Sequence, residues 1–260
     1  MNIPAFAFIV IILAIVVGEL IYHLVLGNGA NFEGNTNVGK PINFLGQMYK
    51  GGQIVPFLIG ILIIVFTFSI ERLITILRAK GSGSVEGFVR EVRQLLSSGK
   101  LKEAIAECDK QRGSVANVIR SGLLKYEQVE KETILDKEAK IAAIQKSLEE
   151  ATALELPMLS KNLVILSTCA SISTLVGLMG TVLGMIEAFA ALAQSGAPDA
   201  VGLANGISEA LINTLLGIFS AALGIICYNL FNNLIDSLTY GMDEAGFSIV
   251  QTYSATHQER

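Results

Sequence analysis

The chain has 260 residues, of which 52% are apolar and only 16% are charged, and its mean hydropathy is +0.56. This composition is typical of a membrane protein rather than a soluble domain. Of its 19 Lys and Arg residues, 14 lie in residues 80–161, where they alternate with acids, so a nucleic-acid surface is not indicated. The three cysteines are widely spaced, which excludes a disulfide framework and a zinc motif.

Residues 3–26 form the first apolar segment, which is long enough to span a bilayer. A cleaved secretory signal is the alternative, but the segment has no basic start and no A-x-A-like site. We therefore expect residues 1–27 to be an uncleaved membrane anchor. Glu19 and His23 share one helix face, and we expect an ion pair at the membrane edge rather than a proton relay.

Residues 28–53 are rich in Gly and Asn and predict an exposed periplasmic linker. A second span is predicted at residues 54–79, with Pro56 in its first turn. Residues 80–161 predict a cytoplasmic helical domain with short amphipathic helices at 85–98, 101–112 and 115–127. From Thr133 the pattern predicts one long helix that continues into the third span, in which Pro157 is the only candidate for a kink.

Residues 162–235 predict a transmembrane hairpin with spans at 163–192 and 203–235 and a turn at 193–201, followed by a cytoplasmic tail at 236–260. The basic residues of 80–161 should lie in the cytoplasm, and the turn, which has no Lys or Arg, should lie outside. No strand pattern competes, and lipid-exposed segments of this kind must be helical. The predicted fold class is an all-α integral membrane protein with long helices extending into a helical cytoplasmic domain.

A carboxylic acid lies within the last span: Glu209 is the only one between residues 202 and 235. An acid at membrane depth costs about 2.5–3.5 kcal/mol on insertion scales, and function is the default explanation. Thr181 and Thr214 each lie about 16 Å below the outer end of their helix, at a rise of about 1.5 Å per residue. We therefore predict a proton path formed by Thr181, Glu209 and Thr214.

Small and polar residues continue along both helices of the hairpin. Close helix packing is the usual role of such glycines, and Ser or Thr often bonds its own helix. Glu187, near the outer end of its helix, is expected at the membrane interface. The residues predicted either to line the path or to pack the helices are Thr174, Gly177, Gly180, Gly184, Gly206, Asn213 and Ser220.

Three motifs resemble the ExbB/TolQ/MotA proton-channel family, and ExbB most closely. They are Gly177-x-x-Gly180-Thr181-Val182-x-Gly184, Gly206-Ile207-x-Glu209-Ala210-Leu211-x-x-Thr214 and Tyr228-Asn229-x-Phe231. The resemblance covers residues 51–231. Thr174 and Leu223 stand where prolines are common in the family. The span at 3–26 is additional to the three-helix ExbB plan, whereas MotA-like subunits have four spans.

The resemblance implies a multi-pass protein of the Gram-negative inner membrane that forms a pentamer around a dimer of an ExbD-like single-pass partner. The partner's membrane Asp carries the proton, the positions of Thr181 and Thr214 line the lumen facing it, and that of Glu209 is needed for activity. The proton motive force then drives a TonB-like protein that energises outer-membrane transport. No cofactor or metal is implied.

Three other functions compete with this one. A MotA-like stator subunit is favoured by the number of spans, and a non-conducting membrane scaffold would need no acid at Glu209. An intramembrane enzyme is not expected, because the sequence has no H-E-x-x-H, G-x-S-x-G or phosphate-loop motif. His23 lies far along the chain from Glu209, and His257 lies in the tail.

Overall fold

The structure, a computed structural model, describes residues 3–193 and 199–256. Within these ranges the chain is helical with no strand, and an isolated bridge joins Phe32 to Pro41. Among the described residues, four helices are long and apolar enough to cross a membrane, so the all-α membrane fold is confirmed. Most of the predicted turn, including Gly196 and Pro198, lies outside the described residues, as does His257.

The chain divides into two compact units. The membrane unit comprises Met1–Ile70 and Asn162–Tyr228, and the second unit comprises Glu71–Lys161 and Asn229–Arg260. The helices are α1 (Ile3–Ile21), α2 (Phe44–Tyr49), α3 (Val55–Lys80), α4 (Val85–Ser97), α5 (Leu101–Gln111), α6 (Gly113–Glu130), α7 (Lys137–Ser160), α8 (Leu163–Leu192) and α9 (Ala200–Thr256).

The first membrane segment continues beyond α1 as a π-helical turn, Tyr22–Leu26. Gly18 of α1 lies directly against α3, since a methyl group built on it would be 2.5 Å from the Pro56 carbonyl oxygen and 2.9 Å from the Gly60 nitrogen. Glycine therefore permits the close approach of these two spans. The expected pair is present nearby: His23 Nε2 lies 3.2 Å from Glu19 Oε1, and both side chains are exposed.

The segment of residues 28–54 is folded into short helical turns, although most of its side chains are exposed, as expected for a linker. Asn31 is buried and its Nδ2 donates to the carbonyl oxygens of Val25 and Leu26, at 2.7 and 3.0 Å. These carbonyls end a helix and need such donors. Asn43 Nδ2 donates to Asn31 Oδ1 at 2.9 Å, and Asn43 Oδ1 accepts from the Gly46 nitrogen at the start of α2. Side-chain amides thus organise a segment that lacks any apolar period.

Aromatic packing fixes the same segment to the first membrane segment. The rings of Tyr22 and Tyr49 stack at 4.6 Å between centroids, and Phe32 packs edge-on against Tyr49. The Tyr22 hydroxyl donates to the Tyr49 carbonyl oxygen at 3.0 Å. Since Phe32 is only 3% exposed, these rings form a small core rather than a surface patch.

The second unit contains the three predicted short helices as α4, α5 and α6. Ser84 and Asp136 accept backbone hydrogen bonds at the starts of α4 and α7, as N-cap residues do. Of the region predicted as a tail, residues 236–256 are helical and form the end of α9, which runs to Thr256. Its side chains form part of the core of this unit, where Tyr126 packs edge-on against Tyr253 at 4.7 Å. Side chains with less than 2% exposure in this core include Ile119, Leu123, Ile144, Met242 and Ile249.

The predicted continuous helix through residues 133–192 is interrupted, and the break is not at Pro157. Helix α7 passes through Pro157 and ends at Ser160, and α8 begins at Leu163. Between them Asn162 adopts the left-handed conformation, with a φ of 64°. Asparagine tolerates this conformation better than most residues, which explains why the helix breaks here.

A buried arginine satisfies the end of α7. Arg72 is 2% exposed, and its Nη1 donates to the carbonyl oxygens of Leu159 at 3.2 Å and Met158 at 3.4 Å. Its Nε and Nη2 donate to the carboxylate of Glu71 at 2.6 and 2.5 Å. The last carbonyls of a helix lack partners within the helix, so this one side chain supplies donors and pairs its own charge.

Replacement of Arg72 by Leu should therefore destabilise the second unit. The change removes the donor to the buried Leu159 carbonyl and the partly buried Met158 carbonyl and deprives Glu71 of its arginine, at a cost of roughly 3 kcal/mol. The exposed pair of Lys146 and Glu150, 3.8 Å apart, provides the control, because Lys146→Leu should cost below about 1 kcal/mol. Thermal unfolding of the purified protein in detergent compares the two variants, and equal Tm values would contradict this account.

Candidate functional site

Glycines bring α8 and α9 into backbone contact. A methyl group on Gly184 would lie 2.7 Å from both the Ala210 nitrogen and the Gly206 oxygen. On Gly217 it would lie 2.6 Å from the Ser173 oxygen and 2.8 Å from the Gly177 Cα. Real Cβ atoms do not approach backbone this closely, so the separation of the helices requires glycine. The predicted residues Gly177, Gly180, Gly184 and Gly206 are all buried at this contact.

Thr181 and Thr214 meet across the α8–α9 contact. Their hydroxyl groups are hydrogen-bonded to each other, and the Thr181 hydroxyl also lies 3.3 Å from the Gly177 carbonyl oxygen and 3.4 Å from that of Ala210. Both side chains are half-buried in the single chain. A hydroxyl can donate one hydrogen bond and accept others, so this pair retains capacity for a further polar partner.

Asn213 is a structural link within the membrane unit. Its side chain is completely buried, and Nδ2 donates to the Gly51 carbonyl oxygen at 2.9 Å. It packs on Gly180, where a methyl group would lie 2.4 Å from the Asn213 Cβ. The asparagine therefore ties α9 to the 28–54 segment and contacts α8 at the same time.

Glu209 lies one helical turn from Asn213 and is half-buried. Its carboxyl group lies against the Cα of Gly52, since a methyl group there would be 2.0 Å from Oε1 and 2.8 Å from Cδ. The carboxyl of Glu187 lies within hydrogen-bonding reach of it, and Tyr22 is near enough to interact with it electrostatically. Glu209 is thus surrounded by residues from three parts of the chain.

The structure brings together only part of the predicted proton path. Thr181 and Thr214 are in contact, whereas Glu209 lies about 7.5 Å along α9 from Thr214, at about 1.5 Å per residue. Thr174 is exposed and bonds the Ala170 carbonyl of its own helix, and Ser220 is 1% exposed. Gly51, Gly52 and the position of Glu187 beside Glu209 were not predicted. The adjacent glycines just before the second span were the available signal.

A metal site is not indicated for the parts of the chain that the structure describes. Within residues 3–193 and 199–256, no three His, Cys, Asp or Glu side chains come close enough together to hold an ion. The chemistry that the site offers is therefore that of hydroxyls, carboxyls and a carboxamide.

Comparison with known proteins extends these observations. The model of the MotA/TolQ/ExbB proton channel family matches residues 111–244. The chain is 29% identical over 208 residues to the biopolymer transport protein ExbB of Pseudomonas putida, an alignment covering 78% of this chain and 61% of that protein. It is 32% identical over 118 residues to the Tol-Pal system protein TolQ of Pseudomonas aeruginosa, covering 45% of this chain and 51% of the relative. The chain thus spans between half and two thirds of the length of these relatives.

The glycine contact can be tested by single methyl groups. Gly184→Ala and Gly217→Ala should each destabilise the membrane unit by about 1–3 kcal/mol, the usual cost of overpacking, because the methyl meets backbone. Gly246→Ala in α9 is the matched control, since its nearest neighbours would lie at 3.5–4.0 Å. In a helix that change should be neutral or should stabilise by about 0.5–1 kcal/mol.

Unfolding in a titration of SDS against mild detergent, followed by circular dichroism, measures all three variants. Equal unfolding midpoints for the three variants would show that α8 and α9 can move apart without loss of stability.

Proposed function

Because the chain belongs to the MotA/TolQ/ExbB proton channel family, we propose that it is the proton-conducting subunit of an inner-membrane motor that energises TonB-dependent outer-membrane transport. The contact between Thr181 and Thr214, at mid-depth of the two hairpin helices, is the observation that carries this proposal. The relative in Pseudomonas putida bears the name of a biopolymer transport protein, which supports this assignment over other roles of the family.

The threonine pair can serve a proton carrier that comes from a second protein. The proposed partner is an ExbD-like single-pass protein whose membrane Asp faces the two hydroxyls. A charged carboxylate is costly at this depth, and hydroxyl groups that donate and accept hydrogen bonds lower that cost. Each proton crossing a potential of 100 mV releases about 2.3 kcal/mol, which is the energy that the motor converts into movement.

One copy of the hairpin does not enclose a lumen, so the proposed path needs several copies. We place five around the partner dimer, with the half-exposed side of each threonine pair turned inward. The proposed site consists of Thr181, Glu209 and Thr214. Residues 80–161 hold 14 of the 19 Lys and Arg residues, which supports a cytoplasmic position for the second unit. A TonB-like protein would transmit force from the opposite side of the membrane.

A MotA-like stator subunit is the second candidate, and the four helices that could span a membrane favour it. The partner separates the two functions. Affinity purification of the complex from native membranes, followed by mass spectrometry, should recover a partner with a short periplasmic domain together with a TonB-like protein. A partner with a peptidoglycan-binding domain would indicate the stator.

Removal of the hydroxyls or the carboxyl should stop proton flow. Thr181→Val and Thr214→Val keep the side-chain shape but lose a hydrogen bond worth about 1–1.5 kcal/mol, so each should lower flux about tenfold. Glu209→Ala should lower it at least as much. Flux is measured with a pH-sensitive dye in proteoliposomes containing the complete complex, and assembly by native mass spectrometry.

Thr67→Val in α3 is the control, because the Thr67 hydroxyl bonds the Ile63 carbonyl of its own helix at 2.8 Å. It should leave flux unchanged. Normal flux and normal outer-membrane uptake in all three site variants would exclude a conducting role and favour a membrane scaffold.

A further inference from the structure

Two consecutive glycines end the 28–54 segment just before α3. Gly52 has a φ of +76°, a conformation that glycine adopts readily and other residues rarely do. It opens the short 3₁₀ turn Gly52–Ile54, which leads into α3 at Val55. The carboxyl of Glu209 lies on the face of Gly52 that a side chain would occupy.

Asn213 holds the preceding peptide in place. Its Nδ2 donates to the Gly51 carbonyl oxygen at 2.9 Å, and both groups are buried. Since residues four apart lie on the same face of a helix, Glu209 and Asn213 approach the turn together. Gly51 is itself confined, because a methyl group there would lie 2.6 Å from Val55 and 2.7 Å from Ile212.

The turn is also fixed from the other side. Tyr49, two residues before Gly51, stacks on Tyr22 and accepts a hydrogen bond from the Tyr22 hydroxyl. Tyr22, Leu26, Val55 and Ile59 form a buried cluster against which Ile212 of α9 packs. The first membrane segment, the second span and α9 therefore all determine where the two glycines lie.

We propose that the Gly51–Gly52 turn is a positioning element for Glu209: it covers one face of the carboxyl and directs the group toward α8. The proposal rests on the proposed role of Glu209 in the proton path. The titratable groups that face this carboxyl are Glu187 of α8 and Tyr22 of the first membrane segment. A carboxyl covered in this way exchanges protons on its open side and is shielded on the side of the turn.

The test measures how accessible the Glu209 carboxyl is, independently of proton flow. Dicyclohexylcarbodiimide reacts with protonated carboxyl groups in membranes, and mass spectrometry locates and quantifies the adduct on Glu209 in the assembled complex. In Gly52→Ala the added methyl displaces the carboxyl from the turn. The labelling rate should then rise about tenfold across pH 6–8, the change that 1.4 kcal/mol of lost interaction gives.

Gly34→Ala is the matched control. Gly34 has the same φ of +76° in the same segment, but an added methyl would meet nothing within 4 Å. It reproduces the backbone strain without touching Glu209, so its labelling rate should equal that of the unaltered protein. Equal rates in Gly52→Ala and Gly34→Ala, or slower labelling in Gly52→Ala, would overturn the proposal.

A second variant covers the case in which Gly52→Ala does not assemble. Tyr49→Leu removes the ring that stacks on Tyr22 and leaves Glu209 and Gly52 unaltered, and it should also raise the labelling rate. An unchanged rate there would count against positioning by the turn. The proposed function fails separately: normal flux in all three site variants would remove it even if labelling responds to Gly52 as expected.

Discussion

Backbone contact between α8 and α9 is the constraint on which the rest of the membrane unit depends. Lipid offers helices no hydrophobic gain for associating, so their contact must come from close packing and from hydrogen bonds between them. Gly184 and Gly217 allow that packing, and the same short separation lets Thr181 reach Thr214. A wider separation would leave both hydroxyls to bond only within their own helices.

Hydrogen bonds between polar groups of the chain explain much of the structure around the α8–α9 contact. In a bilayer each unpaired polar group is costly, so side chains must supply the partners that water supplies elsewhere. Asn31 donates hydrogen bonds to the carbonyls that end the first membrane segment, and Asn213 donates one to the Gly51 carbonyl. These amides also fix geometry, because a hydrogen bond in a dry environment tolerates little displacement. The position of Glu209 is a product of this network rather than of its own helix alone.

The sequence predicted what regular periodicity encodes. Hydropathy located the four spans, amphipathic spacing located α4 to α6, and the rise per residue placed Thr181 opposite Thr214. The fold of the 28–54 segment was not predicted, because its order comes from amide hydrogen bonds and stacked rings, which leave no periodic pattern in the sequence. The contact of Asn213 with Gly51 joins residues 162 positions apart, and a single sequence carries no signal of such pairs. The break at Asn162 depends on one backbone angle.

The core of the second unit is built from two separate parts of the chain, and this affects the order of events during biosynthesis. Its core joins Ile119, Leu123 and Ile144 with Met242 and Ile249, which the ribosome delivers only after the sequence of the hairpin. While α8 and the first part of α9 enter the membrane, the earlier helices of this unit still expose the surface that the end of α9 will cover. Completion of this core therefore follows membrane insertion, and nascent chains stalled before residue 242 should remain dependent on chaperones.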